Sequence, residues 1–139
     1  MATFNKFNSF VEALAEKVHN LGADTLKVML TNSAPAAGNS VKADITEISA
    51  GNGYTAGGAS VTISSSAQTS GTYKLTLADV VITASGGSIG PFRYVVLYND
   101  TATNDELIGY FDYGSSISLA AGENFTVDFD ASTGVLTIV

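Results

Sequence analysis

The longest β-favouring run in the chain is Phe92 to Tyr98, rich in aromatic and β-branched residues. A polar loop, Asn99 to Asp105, separates it from a second apolar run, Glu106 to Tyr113. Two such runs across a short Asn/Asp/Thr loop predict an antiparallel hairpin. A strict period of two puts Phe92, Tyr94, Val96 and Tyr98 on one face and Arg93, Val95 and Leu97 on the other. In the second run Leu107, Phe111 and Tyr113 oppose Ile108 and Tyr110. Both strands are apolar on both faces, which predicts the middle of a sheet covered on each side. One cover is expected to be a second sheet of the same domain, the other a neighbouring subunit.

Elsewhere the pattern is that of short strands. Leu26, Val28 and Leu30 alternate with polar neighbours, as do Val61 and Ile63, then Tyr73, Leu75 and Leu77. Val80 to Ile82 either continues a bent strand or forms a second one. Phe125, Val127 and Phe129 alternate again, and an almost wholly apolar stretch, Val135 to Val139, predicts a terminal strand pinned within a sheet. Turn signals fall every 8 to 12 residues or so, giving a mainly β fold: a β-sandwich, jelly-roll or Ig-like, of about seven to nine strands. One helix is predicted at about Phe10 to Asn20. Ser9 and Glu12 have capping-box spacing, and Phe10, Val11, Leu14 and Val18 repeat at helical spacing. Residues 1–22 then form an N-terminal arm and helix, and 23–139 the sandwich, as one globular unit. The loop Asn32 to Asp44 has little to pack and is expected to be functional or mobile.

Composition narrows the function classes. At 139 residues the chain can bury roughly two-thirds of its unfolded surface without staples, and it has no cysteine. Its net charge is -7, and its six basic residues are scattered singly. Nucleic-acid binding draws on clustered Lys and Arg, so none is expected. No apolar run approaches the ~20 residues of a membrane span, and MATFNKFNSF does not read as a signal peptide. No membrane partner is expected, and synthesis in the cytoplasm is.

Three motifs invite chemistry. Gly86-Gly87-Ser88-Ile89-Gly90 matches G-x-S-x-G, but Pro91 and an extended run follow where a nucleophile elbow needs a helix. The single histidine, His19, is expected at a helix end in a solvated or capping role. Gly51 to Gly58, GNGYTAGG, lacks the spacing of a dinucleotide fingerprint; it reads as a turn needing positive φ, with Tyr54 packed as an anchor. Asp128, Asp130 and Ser132 start like a calcium loop, but the glycine is displaced to Gly134 and no Glu closes it. No catalytic residue, cofactor or metal site is expected. Phe4, Phe7 and Phe10 stand in a polar arm and suit a clip onto a partner; Tyr54, Gly57 and Gly58 are further candidates for a partner interface.

Four segments in order, DTLKVMLTNSAP, GNGYTAGG, RYVVLYNDTATNDELIGYFDYG and AAGENFTVDFDASTGVLTI, resemble small virion proteins of tailed bacteriophages. The resemblance covers about Asp24 to Val139 and leaves out the helix. It implies a capsid cement, or decoration, protein of the phage head, made in the host cytoplasm. Its implied partners are the major capsid protein and itself, as a homotrimer on the outer capsid surface. Two other readings are kept beside it: a β-sandwich adhesin recognising host glycans, and an esterase using Ser88.

Overall fold

A computed structural model describes residues 2–139. Along the chain run β1 (Phe4–Lys6), α1 (Ser9–Ala15), β2 (Leu26–Thr31), β3 (Ala59–Val61), β4 (Ile63–Thr69), β5 (Thr72–Leu77), β6 (Val80–Thr83), β7 (Ile89–Asn99), β8 (Leu107–Leu119), β9 (Asn124–Val127) and β10 (Leu136–Ile138). The fold is a β-sandwich with one helix. One layer is a five-stranded sheet ordered β1-β8-β7-β2-β3; the other is made of a three-stranded sheet, β10-β5-β4, and the pair β6-β9. All pairings are antiparallel. Among the described residues ten strands stand where seven to nine were expected, because the terminal segments and the 59–83 region are cut into short pieces.

The hairpin is the centre of the larger sheet, β7 lying between β8 and β2. Leu26, Val28 and Leu30 of β2 and Val95 and Leu97 of β7 point into the core, against Leu75 and Leu77 of β5. The opposite face carries a second apolar cluster of Phe7, Met29, Val96, Tyr98 and Leu107. Two-sided burial of the hairpin thus holds, but the second cover is not a neighbouring subunit. The chain supplies it itself, from Phe7 and from the segment around Ile45.

That segment belongs to the long loop after β2, which is tied down rather than loose. Asn8 N–H donates to Ala37 O (2.9 Å), Leu107 N–H to Ser40 O (2.9 Å), Lys42 N–H to Asp105 O (3.0 Å) and Ile48 N–H to Leu30 O (3.0 Å). A loop laid over a sheet face must satisfy its own backbone groups, and these bonds do so.

The face assignments from a strict period of two hold only between bulges. Phe92 pairs with Ile117, and Tyr94 with Asp112, so residues 113–116 of β8 oppose Arg93 alone. This shift puts Phe92 in the main core with Val95 rather than on the face of Val96. A second shift, between Leu97 and Tyr98, sets Leu107 on the outer face with Tyr110, and Ile108 inside with Phe111.

The N-terminal arm is part of the sandwich. β1 pairs with β8, Phe4 opposite Phe111, and their rings lie 5.5 Å apart. Phe7 is 0% and Phe10 3% exposed. The clip expected from Phe4, Phe7 and Phe10 is corrected on this point: Phe7 and Phe10 are spent inside the chain's own core, and Phe4 is half-buried on Phe111. The helix is shorter than expected. Asn8 is its N-cap and makes no side-chain cap bond, so the Ser9–Glu12 box does not form. Lys17 adopts φ 68, a left-handed conformation that ends the helical run. The terminal strand β10 is paired within a sheet, as expected, but it lies at that sheet's edge with Ile138 43% exposed.

Phe7→Ala removes a side chain buried on all sides, and we expect it to cost about 3–5 kcal/mol in chemical denaturation. Val11→Ala, at an exposed position of the same helix region, should stay within ~0.5 kcal/mol. Equal losses would mean that the arm does not dock as described.

Candidate functional site

The glycine-rich turn GNGYTAGG completes the sheet edge. β3 pairs with β2 only as far as Ala59 opposite Val28, which leaves Leu30 N–H without a strand partner on that side. The Tyr54 hydroxyl accepts it (2.9 Å) and in turn donates to Glu47 Oε1 (2.7 Å). Gly57 N–H donates to the same oxygen (2.7 Å), and the Tyr98 hydroxyl to Gly57 O (2.5 Å). Burial, with the Glu47 carboxylate beside it, pushes the Tyr54 phenol far up, so it stays a neutral donor. Gly58 has φ +79, and a Cβ there would sit 1.8 Å from Val28 O. The anchor reading of Tyr54 is what the geometry displays. As interface candidates, Tyr54, Gly57 and Gly58 are engaged within the chain, with Tyr54 only 4% exposed.

Ser88 does not sit on an elbow. It is exposed, its carbonyl accepts from Asn52 Nδ2 (2.9 Å), and β7 begins at the next residue. His19 is neither solvated nor a cap, contrary to expectation: it is 5% exposed and packed on Phe10, ring centroids 5.4 Å apart. Asn99 fixes its state. Asn99 Oδ1 accepts from the N–H groups of Thr101 (3.0 Å) and Ala102 (3.2 Å). Its Nδ2 donates to Asp24 Oδ2 (2.7 Å) and to His19 Nδ1 (3.1 Å). Nδ1 is therefore an acceptor, and the neutral ring carries its proton on Nε2, which is buried without a partner. Burial lowers the His19 pKa, against the opposing pull of the Glu106 and Asp24 carboxylates.

Residues 130–134 form a turn that joins β9 to β10, which lie in different sheets. Asp130 accepts from Ser132 N–H and Oγ (both 2.7 Å) and from Thr133 N–H (3.2 Å) and Oγ1 (2.8 Å). These bonds, those from the Ser132 and Thr133 side chains foremost, hold its carboxyl well below the usual range. Among the described residues no group of three His, Cys, Asp or Glu is placed to hold a metal ion.

The surface that remains open was not singled out from the sequence. The β8 bulge at 113–116 is pinned at its base by Asp112. Arg93 Nε and Nη2 donate to Asp112 Oδ1 (2.8 Å) and Oδ2 (2.9 Å), Gly114 N–H adds a third bond to Oδ1 (2.8 Å), and Arg93 stacks over Tyr94. Gly114 takes φ +100, which lets the strand leave the ladder. The bulge lifts Tyr113 out to 53% exposure, the one exposed aromatic among the described residues. Its ring packs against Phe125 of β9 at 5.7 Å, and Phe125 on Phe92 at 5.0 Å. Between these strands opens a groove of about 360 Å³ lined by Val95, Phe111, Tyr113, Phe125, Val127 and Asp128, and also by Ala2 and Thr126. A glycine directly after the Asp-Tyr pair of an apolar strand was the available signal for a bulge. Arg93, the one charge in the facing strand, was the signal for its pin.

No family model matches the sequence, and neither the curated proteins nor the solved structures give a match. No helix among the described residues is long and apolar enough to cross a membrane. The groove offers apolar contact area, an acidic rim and an aromatic edge: the means to bind another surface.

Because His19 is held neutral, the unfolded chain takes up a proton near pH ~6.5 that the folded chain refuses. Folding stability should therefore be full above about pH 6.5 and decline as pH falls below it. His19→Gln, which keeps an acceptor for Asn99, should flatten that decline in urea midpoints taken between about pH 5.5 and 7.5. An unchanged slope would assign the decline to other groups.

Proposed function

We propose that this chain is a structural protein of a tailed-phage virion, a capsid cement protein that binds the outer lattice of the head as a homotrimer. The observation that carries the reading is the Tyr113 groove: an exposed aromatic over an apolar slot, on a sandwich whose other large side chains are mostly satisfied within the chain. The segments that resemble phage virion proteins fit the same picture. GNGYTAGG closes a sheet edge, and RYVV with IGYFDYG builds the pinned bulge that presents Tyr113. Cementing needs no reaction. A partner that binds only the assembled shell stabilises it by mass action, by about 2.7 kcal/mol per site at a free concentration of 100 Kd.

A glycan-binding adhesin is the second reading, favoured by the same exposed Tyr113 ring, on which a sugar face can stack. The two separate in one experiment. Purified heads of the phage that encodes the chain are stripped of it and mixed with the pure protein. The cement reading expects saturable co-sedimentation, a higher temperature of DNA release, and a solution mass of three chains. Absence of the protein from the particles, with binding on a glycan array, would replace it with the adhesin.

A further inference from the structure

We propose that the Tyr113 groove is a strand-addition site: it takes an extended polypeptide segment of a lattice partner, one carrying an apolar side chain next to a basic one. Two free strand edges face this one slot. Among the described residues β9 is paired on one side only, with β6. Beyond Phe111, where β1 begins opposite it, β8 has no outer neighbour among the described residues. The bulge at 113–116 makes β8 an irregular template, so β9 is the edge a new strand would pair with.

An added strand along β9 places alternate side chains over the groove, where Phe111, Phe125 and Val127 would receive an apolar one beneath the Tyr113 ring. Charge sets the neighbouring residue. Asp128 is the only charged residue lining the groove and makes no ion pair among the described residues. The adjoining depression toward Phe4 adds Asp130 and no base. An acidic rim on a chain of net charge -7 favours a basic occupant and repels a second copy of itself. The inference rests on the cement reading for who supplies the segment, and on the groove alone for what the segment is.

The test has two arms. In the first, a fluorescein-labelled nine-residue peptide alternating Val and Lys is titrated into wild type, Tyr113→Ala and Asp128→Lys. The same peptide with Glu for Lys is the control. Both substituted residues are exposed, and an amide NMR fingerprint verifies that each variant is folded. We expect saturable binding of the Lys peptide, at least ten-fold weaker in each variant, absent for the Glu peptide, with slowed exchange at one or more β9 amides. Equal affinity for the three proteins, equal affinity for the two peptides, or no binding at all overturns the site. So does a protein mass that rises with concentration and reverts in Tyr113→Ala, which would seat a second copy in the groove. In the second arm, the variants are tested for co-sedimentation with stripped heads. Wild type binding while both variants bind ten-fold less supports the site as the shell contact. Wild type and variants binding alike overturns the groove and leaves the cement reading standing; failure of the wild type removes that reading and the inference that rests on it.

Discussion

Everything in this sandwich answers to the burial of one strand on both faces. From Tyr94 to Asn99 every residue of β7 is buried, in alternation toward two separate apolar clusters. A strand apolar on one face only could leave the other to solvent, and the chain would then need little more than its second sheet. Here Val96, Tyr98 and Met29 face outward, and burying each such side chain is worth about 1.5–3 kcal/mol. That demand recruits Phe7 from the N-terminus and the loop around Ile45, and it explains why a stretch as polar as 32–44 is stitched down at several points. The Tyr98 hydroxyl, reaching through to Gly57 O, links the outer cluster to the GNGYTAGG turn.

The fold class was legible because it rests on local signals. Alternation in Leu26 to Leu30, in Tyr73 to Leu77 and in Phe125 to Val127 needs no knowledge of partners, and neither does the positive φ demanded around Gly57 and Gly58. What misled was long range. Phe7 stands among polar neighbours, and nothing near it announces that Met29 and Leu107 will enclose it. His19 likewise looks like a helix-end residue until Asn99, eighty positions later, takes its Nδ1. Strict counting also fails at a bulge, because each unpaired residue reverses the face of all that follow. Phe92 and Leu107 were assigned to the wrong sides for this reason alone.

The open surface escaped notice through the same mechanism. Counting placed Tyr113 with Phe111 as strand interior, whereas the Arg93–Asp112 pair and Gly114 turn the chain outward between them. The segments GNGYTAGG and IGYFDYG are chiefly builders of shape. Their polar groups face one another, as in Glu47 with Tyr54, or Asp112 with Arg93, and only the ring they display faces away.

Ala2 and Val139 are therefore unequal in what they touch. Ala2 lines the groove and lies two residues before the paired strand β1, so a bulkier side chain there crowds both the slot and the β1–β8 seam. Val139 is fully exposed beyond the edge strand β10, in the other layer and outside the groove lining. A change at Val139 therefore meets neither the β1–β8 seam nor the groove, whereas one at Ala2 bears on both.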